Sequence, residues 1–463
     1  MSLALLIALS LGQAPAAALS LGEAYQQAQA KNADLKVARL RFQQAQLNLQ
    51  KVWTHQLPQV EAYGTYARNS SEVSFQIPSG YYVRTVGSTA LNGPAYDPSR
   101  PISTSNPPGT ASNTIIVPSG YNKTTLLKEN QLGAAVTLTV PLLVPELWPK
   151  FHEAELGEDL AKERVEQARR DVLFAVAELY YQAAALKEGV LVQERILENV
   201  LAHERDAQAR VRAGALAHIG LVRAQLDRTR TEQDLLRARN SYAAARSALA
   251  SLLGREDDFE VGRPEEPTIP ESSADLDTVA MAQRPDLEVA RRQVRLSEAS
   301  ARSVPYKYAP SVAATALLLT SNGDLFAANH GMWSASVLMK WTLWDGGQRE
   351  VELKEARLKA LEANATVDAS VARVHDEVRR AKLDLTSARA NRLKAQEQLS
   401  LARENESIIT KNFSAGAASP VDLSDATTAL SNAETSVVAE SLNAQLAALR
   451  LLRATGAFSP GTP

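Results

Sequence analysis

The chain contains no cysteine, few aromatic residues and no excess charge of either sign. Without cysteine there are no disulfides, thiolate metal sites, cysteine nucleophiles or lipidated N-terminal cysteine. Aromatics make up 5% of the 463 residues although hydrophobic residues reach 45%, so the apolar content is mostly Ala, Leu and Val. That mixture suits thin contacts between helices better than one thick core. Lys and Arg number 50 against 52 Asp and Glu, and this balance gives no footprint for nucleic acid. No apolar run reaches the roughly 18–20 residues of a membrane-spanning helix. Enzyme motifs are missing too: no GxSxG, no Walker A, no HExxH and no dinucleotide loop. The six histidines show no metal spacing. The reading is a protein that is not an enzyme and needs no cofactor.

The N-terminus points to export. No charged residue precedes Glu23, residues 3–11 form a short apolar run, and Ala16, Ala17 and Ala18 supply small residues for cleavage. Residues 1–18 read as a signal peptide cut after Ala18, with a short buried helix as the alternative. An exported chain with no spanning helix is soluble outside the cytoplasm or enters a membrane as a β-barrel.

The rest of the chain is an internal duplication. Residues 32–60 align without gaps with 284–312, matching Asp34, Leu35, Val37 and Pro58 to Asp286, Leu287, Val289 and Pro310. A second offset places Gly214 on Gly416 and Gly254 on Gly456. The expected organisation is a first repeat at 19–255, a Pro- and acid-rich linker at 256–277, a second repeat at 278–456 and a tail at 457–463. Each repeat reads as a helical segment, a strand, a loop, a strand, a very long helix, a glycine turn and a final helix. Proline is absent from 150–263 and from 311–419. The stretch 348–413 would be about 100 Å long as a helix at ~1.5 Å per residue.

The long helices carry heptad seams. One line runs Val367, Val374, Ala381, Ala388, Ala395, Ala402 and Ile409; its companion runs from Val371 through Val378 and Leu385 to Phe413. The first repeat has the equivalent lines from Val165 to Ala207 and from Arg169 to Val211. Such periodicity indicates coiled packing of helix on helix. Glu204 and Glu406 interrupt the seams at equivalent places, as solvated helix ends or as functional acids.

The strand candidates have two faces. In 131–142, Leu132, Ala134, Val136, Leu138 and Val140 alternate with Gly133, Ala135, Thr137 and Thr139. In 331–343, Trp333, Val337, Met339 and Trp341 alternate with Ser334, Ser336, Lys340 and Thr342. Segments 60–68 and 311–320 are weaker partners. Strands of about ten alternating residues with aromatic ends mark outer-membrane barrels. Sixteen of the 25 aromatics fall in 53–151 or 306–344, which suits interfacial girdles. A half-buried soluble sheet would alternate in the same way; the export signal and the long helices favour the membrane. Four strands cannot close a barrel and lipid tolerates no open edge, so strands must be shared, and three chains would supply twelve. The fold class is therefore mostly α with a membrane β-barrel part: duplicated long helices plus four strands per chain. Residues 70–130 are an insertion with seven of the 21 prolines, and they echo Ile77-Pro-Ser-Gly-Tyr81 in Val117-Pro-Ser-Gly-Tyr121. This reads as a long outer loop with its own hairpin, whose tyrosines belong to a surface loop more readily than to a ligand site.

These residues resemble a known family. The second turn, from Gly416 through Pro420, Asp422 and Asp425 to Leu430, resembles the tip of TolC-like outer-membrane efflux proteins. Trp344-Asp-Gly-Gly347 resembles that family's Phe-Asp-Gly-Gly, and Leu21-Gly-Glu-Ala-Tyr25 with Asn32-Ala-Asp-Leu35 resembles its N-terminal pattern. The resemblance covers nearly the whole mature chain. It implies a homotrimer with a twelve-stranded barrel in outer-membrane lipid and a helical barrel in the periplasm. It implies an inner-membrane pump and a periplasmic adaptor as partners, while the charge balance already argues for no nucleic acid. Asp422 and Asp425 fall on family positions at the closed end, where they would form carboxylate rings that select cations. The tip turns at Gly214, Ala215, Gly416 and Ala417 would meet the adaptor. Two features depart from the pattern. The first repeat has Val144-Pro-Glu-Leu-Trp148 in place of Asp-Gly-Gly. Gly220 and Ala418 stand where the family's tip latch has an acid and a base, leaving Arg223 or His218 as substitutes. The rival reading is an exported coiled-coil structural or adaptor protein that conducts nothing.

Overall fold

The computed structural model describes residues 18–85, 114–256, 259–269, 276–322, 331–458 and 460. The proposed signal segment before Ala18 and the middle of the insertion, 86–113, lie outside the described residues. In chain order the elements are α1 (Leu21–Lys31), α2 (Ala33–Thr54), β1 (Gln59–Arg68), β2 (Val73–Thr85), β3 (Thr114–Leu127), β4 (Asn130–Leu143), α3 (Leu147–Arg212) and α4 (His218–Leu253). There follow α5 (Leu276–Gln283), α6 (Pro285–Ser303), a 3-10 turn (Val304–Tyr308), β5 (Ser311–Ser321), β6 (Gly331–Lys340), α7 (Gln348–Ser414) and α8 (Pro420–Ala454). Among the described residues no helix is long and apolar enough to cross a membrane. The chain forms two compact units. One comprises residues 1–50, 149–304 and 348–463; the other comprises 51–148 and 305–347.

The first unit is helical. α3 and α7 have 66 and 67 residues, several times the usual helix length. Amphipathic packing makes that length possible: all fourteen positions on the two α7 seam lines are buried or half-buried, as are the corresponding α3 positions. Val374, Val378, Ala381 and Leu385 pack with Ala447, Ala448 and Leu451 of α8 and with Leu287 of α6. Leu173, Val176, Ala177 and Tyr180 of α3 pack with Leu249 and Leu253 of α4. Small residues at these contacts allow the axes to approach closely.

Residues 259–262, within the expected linker, are more than a tether. Phe259 and Val261 are 3% and 1% exposed. Val261 forms a parallel bridge with Leu19. The Leu19 N–H donates to the Glu260 carbonyl at 2.8 Å, and the Gly262 N–H returns to the Leu19 carbonyl at 3.0 Å. The buried Tyr180 hydroxyl also donates to the Leu19 carbonyl, at 2.7 Å. Phe259 and Val261 dock this part of the stretch in the core. Phe458, beyond the second repeat, is buried against Phe174 and Tyr25.

The second unit holds two sheets. Four antiparallel strands run in the order β1-β4-β5-β6, and β2 pairs with β3 as a separate hairpin. β6 ends at Lys340, short of the expected 343. The insertion therefore does contain a hairpin. Its echoed motifs lie opposite each other: Pro78 faces Tyr121, Gly80 faces Gly120 and Tyr81 faces Pro118, with a register shift on either side of Gly80. A Cβ on Gly80 would lie 2.6 Å from the Ser119 Oγ, and one on Gly120 would lie 2.7 Å from the Ser79 Oγ. The repeated Pro-Ser-Gly-Tyr is thus a local two-fold pairing in which a side chain on either glycine would displace the facing serine hydroxyl. The Asn69 N–H donates to the Glu129 carbonyl at 2.8 Å, and Arg68 pairs with Glu129 at 3.0 Å, tying this hairpin to the β1–β4 pair.

Candidate functional site at the sheet and the helix tips

The four-stranded sheet is the first candidate surface. Register decides which side chains share a face. Val60, Ala62 and Tyr66 stand opposite Leu138, Val136 and Leu132. Val136, Leu138 and Val140 stand opposite Leu318, Ala316 and Ala314. Val312, Ala314, Ala316 and Leu318 continue to Met339, Val337, Ala335 and Trp333. One face is therefore apolar across all four strands. The other carries Gln59, Glu61, Thr65, Thr137, Thr139, Thr315, Ser334, Ser336 and Lys340 among small and apolar residues. Thr315 and Ser336 share a hydrogen bond at 2.8 Å on that second face.

The apolar face is uncovered: Trp333 is 77% exposed, Val337 and Val60 each 68%. Four strands about 4.8 Å apart and ten residues long at roughly 3.3 Å each make a surface about 19 by 33 Å. An exposed apolar patch of that size marks contact with a partner or a membrane. Its length is close to the ~30 Å of a bilayer's hydrocarbon core. Neither edge strand has an outer partner among the described residues.

The second candidate surface is at the ends of the long helices. α3 closes on Gly214 and α7 on Gly416, both at φ 74°. In the first turn the Ala215 N–H bonds the Arg210 carbonyl at 2.9 Å; in the second the Ala417 N–H bonds the Asn412 carbonyl at 2.8 Å. These are the same Schellman closure. A Cβ would meet nothing within 4 Å at either glycine, so the backbone angle, not space, requires glycine here.

The helices that leave the turns start differently. In α8 the N-cap is Ser419: its Oγ accepts from the Asp422 N–H at 3.2 Å, and its own N–H donates to the Asp422 carboxylate at 2.8 Å. With Pro420 in the first turn this is a full capping box. The Ser419 backbone N–H, with its hydroxyl, holds the exposed Asp422 carboxyl below the ordinary Asp range. Asp425 is exposed one turn on. α4 begins after Ala217, which makes no side-chain cap. His218 and Arg223 are exposed and Gly220 is buried under the Leu216 side chain, 2.9 Å from where its Cβ would stand.

The two tips touch. The Arg210 guanidinium lies over the Phe413 ring at 4.8 Å. The Ser424 hydroxyl donates to the Asp227 carboxylate at 2.9 Å. Glu204 pairs with Arg228 at 3.2 Å, and the equivalent Glu406 accepts from Thr410 at 3.0 Å. Glu204 and Glu406 are therefore engaged within the chain. A cavity of about 220 Å³ lies between the two tips, with His203, Arg223, Asp227, Phe413 and Thr427 in its wall. Among the described residues no group of three or more His, Asp or Glu has metal-site geometry. Sequence reasoning missed Asp227 and Arg210, which sit on ordinary amphipathic stretches with no local signal.

The pattern of the family described as "Outer membrane efflux protein" matches residues 128–255 and 278–457, more than half of the chain. The chain belongs to that family. CusC, a cation efflux system protein of Escherichia coli K12, is 22% identical over 237 residues, 49% of this chain and 51% of that protein. The chain thus spans about half the length of the curated relative it matches. A crystal structure of CusC aligns with 96% of this chain and 95% of its own at TM-score 0.71 and 17% identity. The CmeC outer membrane channel of Campylobacter jejuni aligns with 98% and 92% at TM-score 0.70 and 16% identity. At such identities the structures establish the fold of the outer membrane efflux family: mostly helical, with few strands.

Proposed function

We propose that this chain is the outer-membrane channel of a tripartite efflux or type I secretion system. The observation that carries the reading is the register-defined apolar face of β1, β4, β5 and β6, uncovered and with both edges free among the described residues. Lipid covers the face; neighbouring copies satisfy the edges. Three copies give twelve strands, enough for an open lumen. The long helices extend into the periplasm, and their turns at Gly214, Ala215, Gly416 and Ala417 meet the adaptor, which links the channel to an inner-membrane pump. Asp425, exposed next to the capping acid Asp422, places carboxylates at the entrance, where three copies attract cations and repel anions.

The test is electrical. Purified oligomer added to a planar bilayer should give discrete, cation-preferring steps. A folded oligomer that never conducts would instead support an exported coiled-coil structural role.

A further inference from the structure

Charge is almost absent from the four-stranded sheet. β4 and β5 have no charged residue; β1 has Glu61 and Arg68, and β6 has Lys340. Arg68 already pairs with Glu129. Glu61 and Lys340 remain, and they share three properties. Both are exposed and lie on the polar face. They occupy the two free edges. Both stand at the end of the sheet where β1 begins and β6 finishes. Within one copy β4 and β5 separate them by three strand spacings, roughly 14 Å, so they cannot meet there.

We propose that Glu61 of one copy and Lys340 of the next form an ion pair across the seam where β6 meets β1. This rests on the barrel reading above. The directions suit it, because three successive antiparallel pairings leave β6 antiparallel to β1 and cyclic copies can close. The stagger suits it as well. Gln59 aligns through Thr139 and Thr315 with Ser336, so Lys340 reaches four residues past the start of β1. The strand ends therefore step by four residues over three strand spacings. A fourth step, to the next β1, makes about five, and the two-residue period of the faces makes this four or six. A strand tilt of about 35–45° gives the same 4–6 residues per copy. A step of six puts Lys340 directly opposite Glu61. A step of four puts it opposite Gln59 with Glu61 on the diagonal, still within reach of a long side chain.

An exposed pair of this kind adds little stability. Its role is selection. With no other free charge on the edges, opposite charges at one end favour this register and this neighbour, and they disfavour β1–β1 or β6–β6 contacts.

The absence of cysteine makes the test direct. Glu61→Cys and Lys340→Cys are combined in one chain, the oligomer is treated with a short bifunctional thiol reagent, and the sample is boiled in SDS. Chains bridged into dimers and closed trimers, with monomers from either single variant, are the expected result. Light scattering before treatment separates the two levels of the argument. A trimer that is not bridged at this pair overturns the seam contact alone; a monomer overturns the barrel reading and the contact with it. A second readout uses charge. Lys340→Glu should lower the temperature at which the trimer dissociates in SDS, and adding Glu61→Lys should restore at least half of the loss. A double reversal no better than the single one contradicts the pair.

Discussion

Asn32 and Arg284 hold equivalent places in the two repeats and do the same job with different chemistry. The Asn32 Nδ2 donates to the Leu252 carbonyl at 3.0 Å, near the end of α4. The Arg284 Nη1 donates to the Ala454 carbonyl at 3.3 Å, at the end of α8. Each ties the entry of one helix to the last turn of another, where carbonyls lack partners. Asn32 also caps α2 through the Asp34 and Leu35 N–H groups. Arg284 instead pairs with Asp286 at 2.8 Å and with Glu377 at 2.5 Å.

Replacing Arg284 with Leu should therefore destabilise the helical unit by about 1–3 kcal/mol, below the figure for a fully buried pair because its partners are partly exposed. The loss should depend on pH. Burial pushes the Asp286 carboxyl up, but the Arg284 guanidinium and the backbone N–H groups of Asp286 and Leu287 together hold it below the ordinary range. A depressed folded value stabilises above the unfolded pKa of about 3.9 and is lost as pH falls through the folded one. The gap between wild type and variant in urea melts should be full at pH 6 and shrink below pH 4. A constant gap would assign the effect to packing alone.

The glycine turns make a backbone prediction. Gly416→Ala forces an L side chain to φ 74° and should cost about 1–2 kcal/mol even though a Cβ has open space there. Gly416→Asn should cost less. Gly214→Ala should behave in the same way, since its angle and hydrogen bonds match. Thermal melts of the four proteins decide it. An Ala variant as stable as wild type would show that the turn has another accessible geometry.

Asp422 and Asp425 should separate cleanly. Asp422 is tied into the Ser419 capping box, so Asp422→Ala should lower the melting temperature modestly. Asp425 is exposed, so Asp425→Asn should leave melting unchanged while weakening cation preference. Reversal potentials in asymmetric salt check the second half. Unaltered preference in the double variant would place selectivity elsewhere.

Much of this molecule was legible in the sequence because its elements are long and strictly periodic. The seam from Val367 to Phe413 and the alternation from Leu132 to Val140 each repeat often enough to fix type and face. Gly214 and Gly416 mark the turns because they fall at the same place in the two repeats, each 40 residues before a second matched glycine. Other features were not legible because they depend on pairing. Nothing local says that Phe259 and Val261 leave an acidic, Pro-rich stretch to dock beside Leu19. Nor does the echo at Tyr81 and Tyr121 reveal that the two copies lie opposite each other on paired strands. At the tips the sequence points to Asp422 and Asp425, whereas the contacts between the helix ends involve Arg210, Phe413, Asp227 and Ser424.

The central claim is that the apolar face of the sheet meets lipid in a barrel shared between copies. Arginine substitutions test it most directly, read as the fraction of protein migrating as SDS-resistant, heat-modifiable trimer after reconstitution in vesicles. Val136→Arg and Val337→Arg lie on the apolar face and should each cost about 2–4 kcal/mol near the midplane, emptying the trimer band. Thr137→Arg, one residue along β4 but on the opposite face, should keep it. Equal tolerance at all three positions, or a wild-type chain that stays monomeric and free of vesicles, would contradict the account.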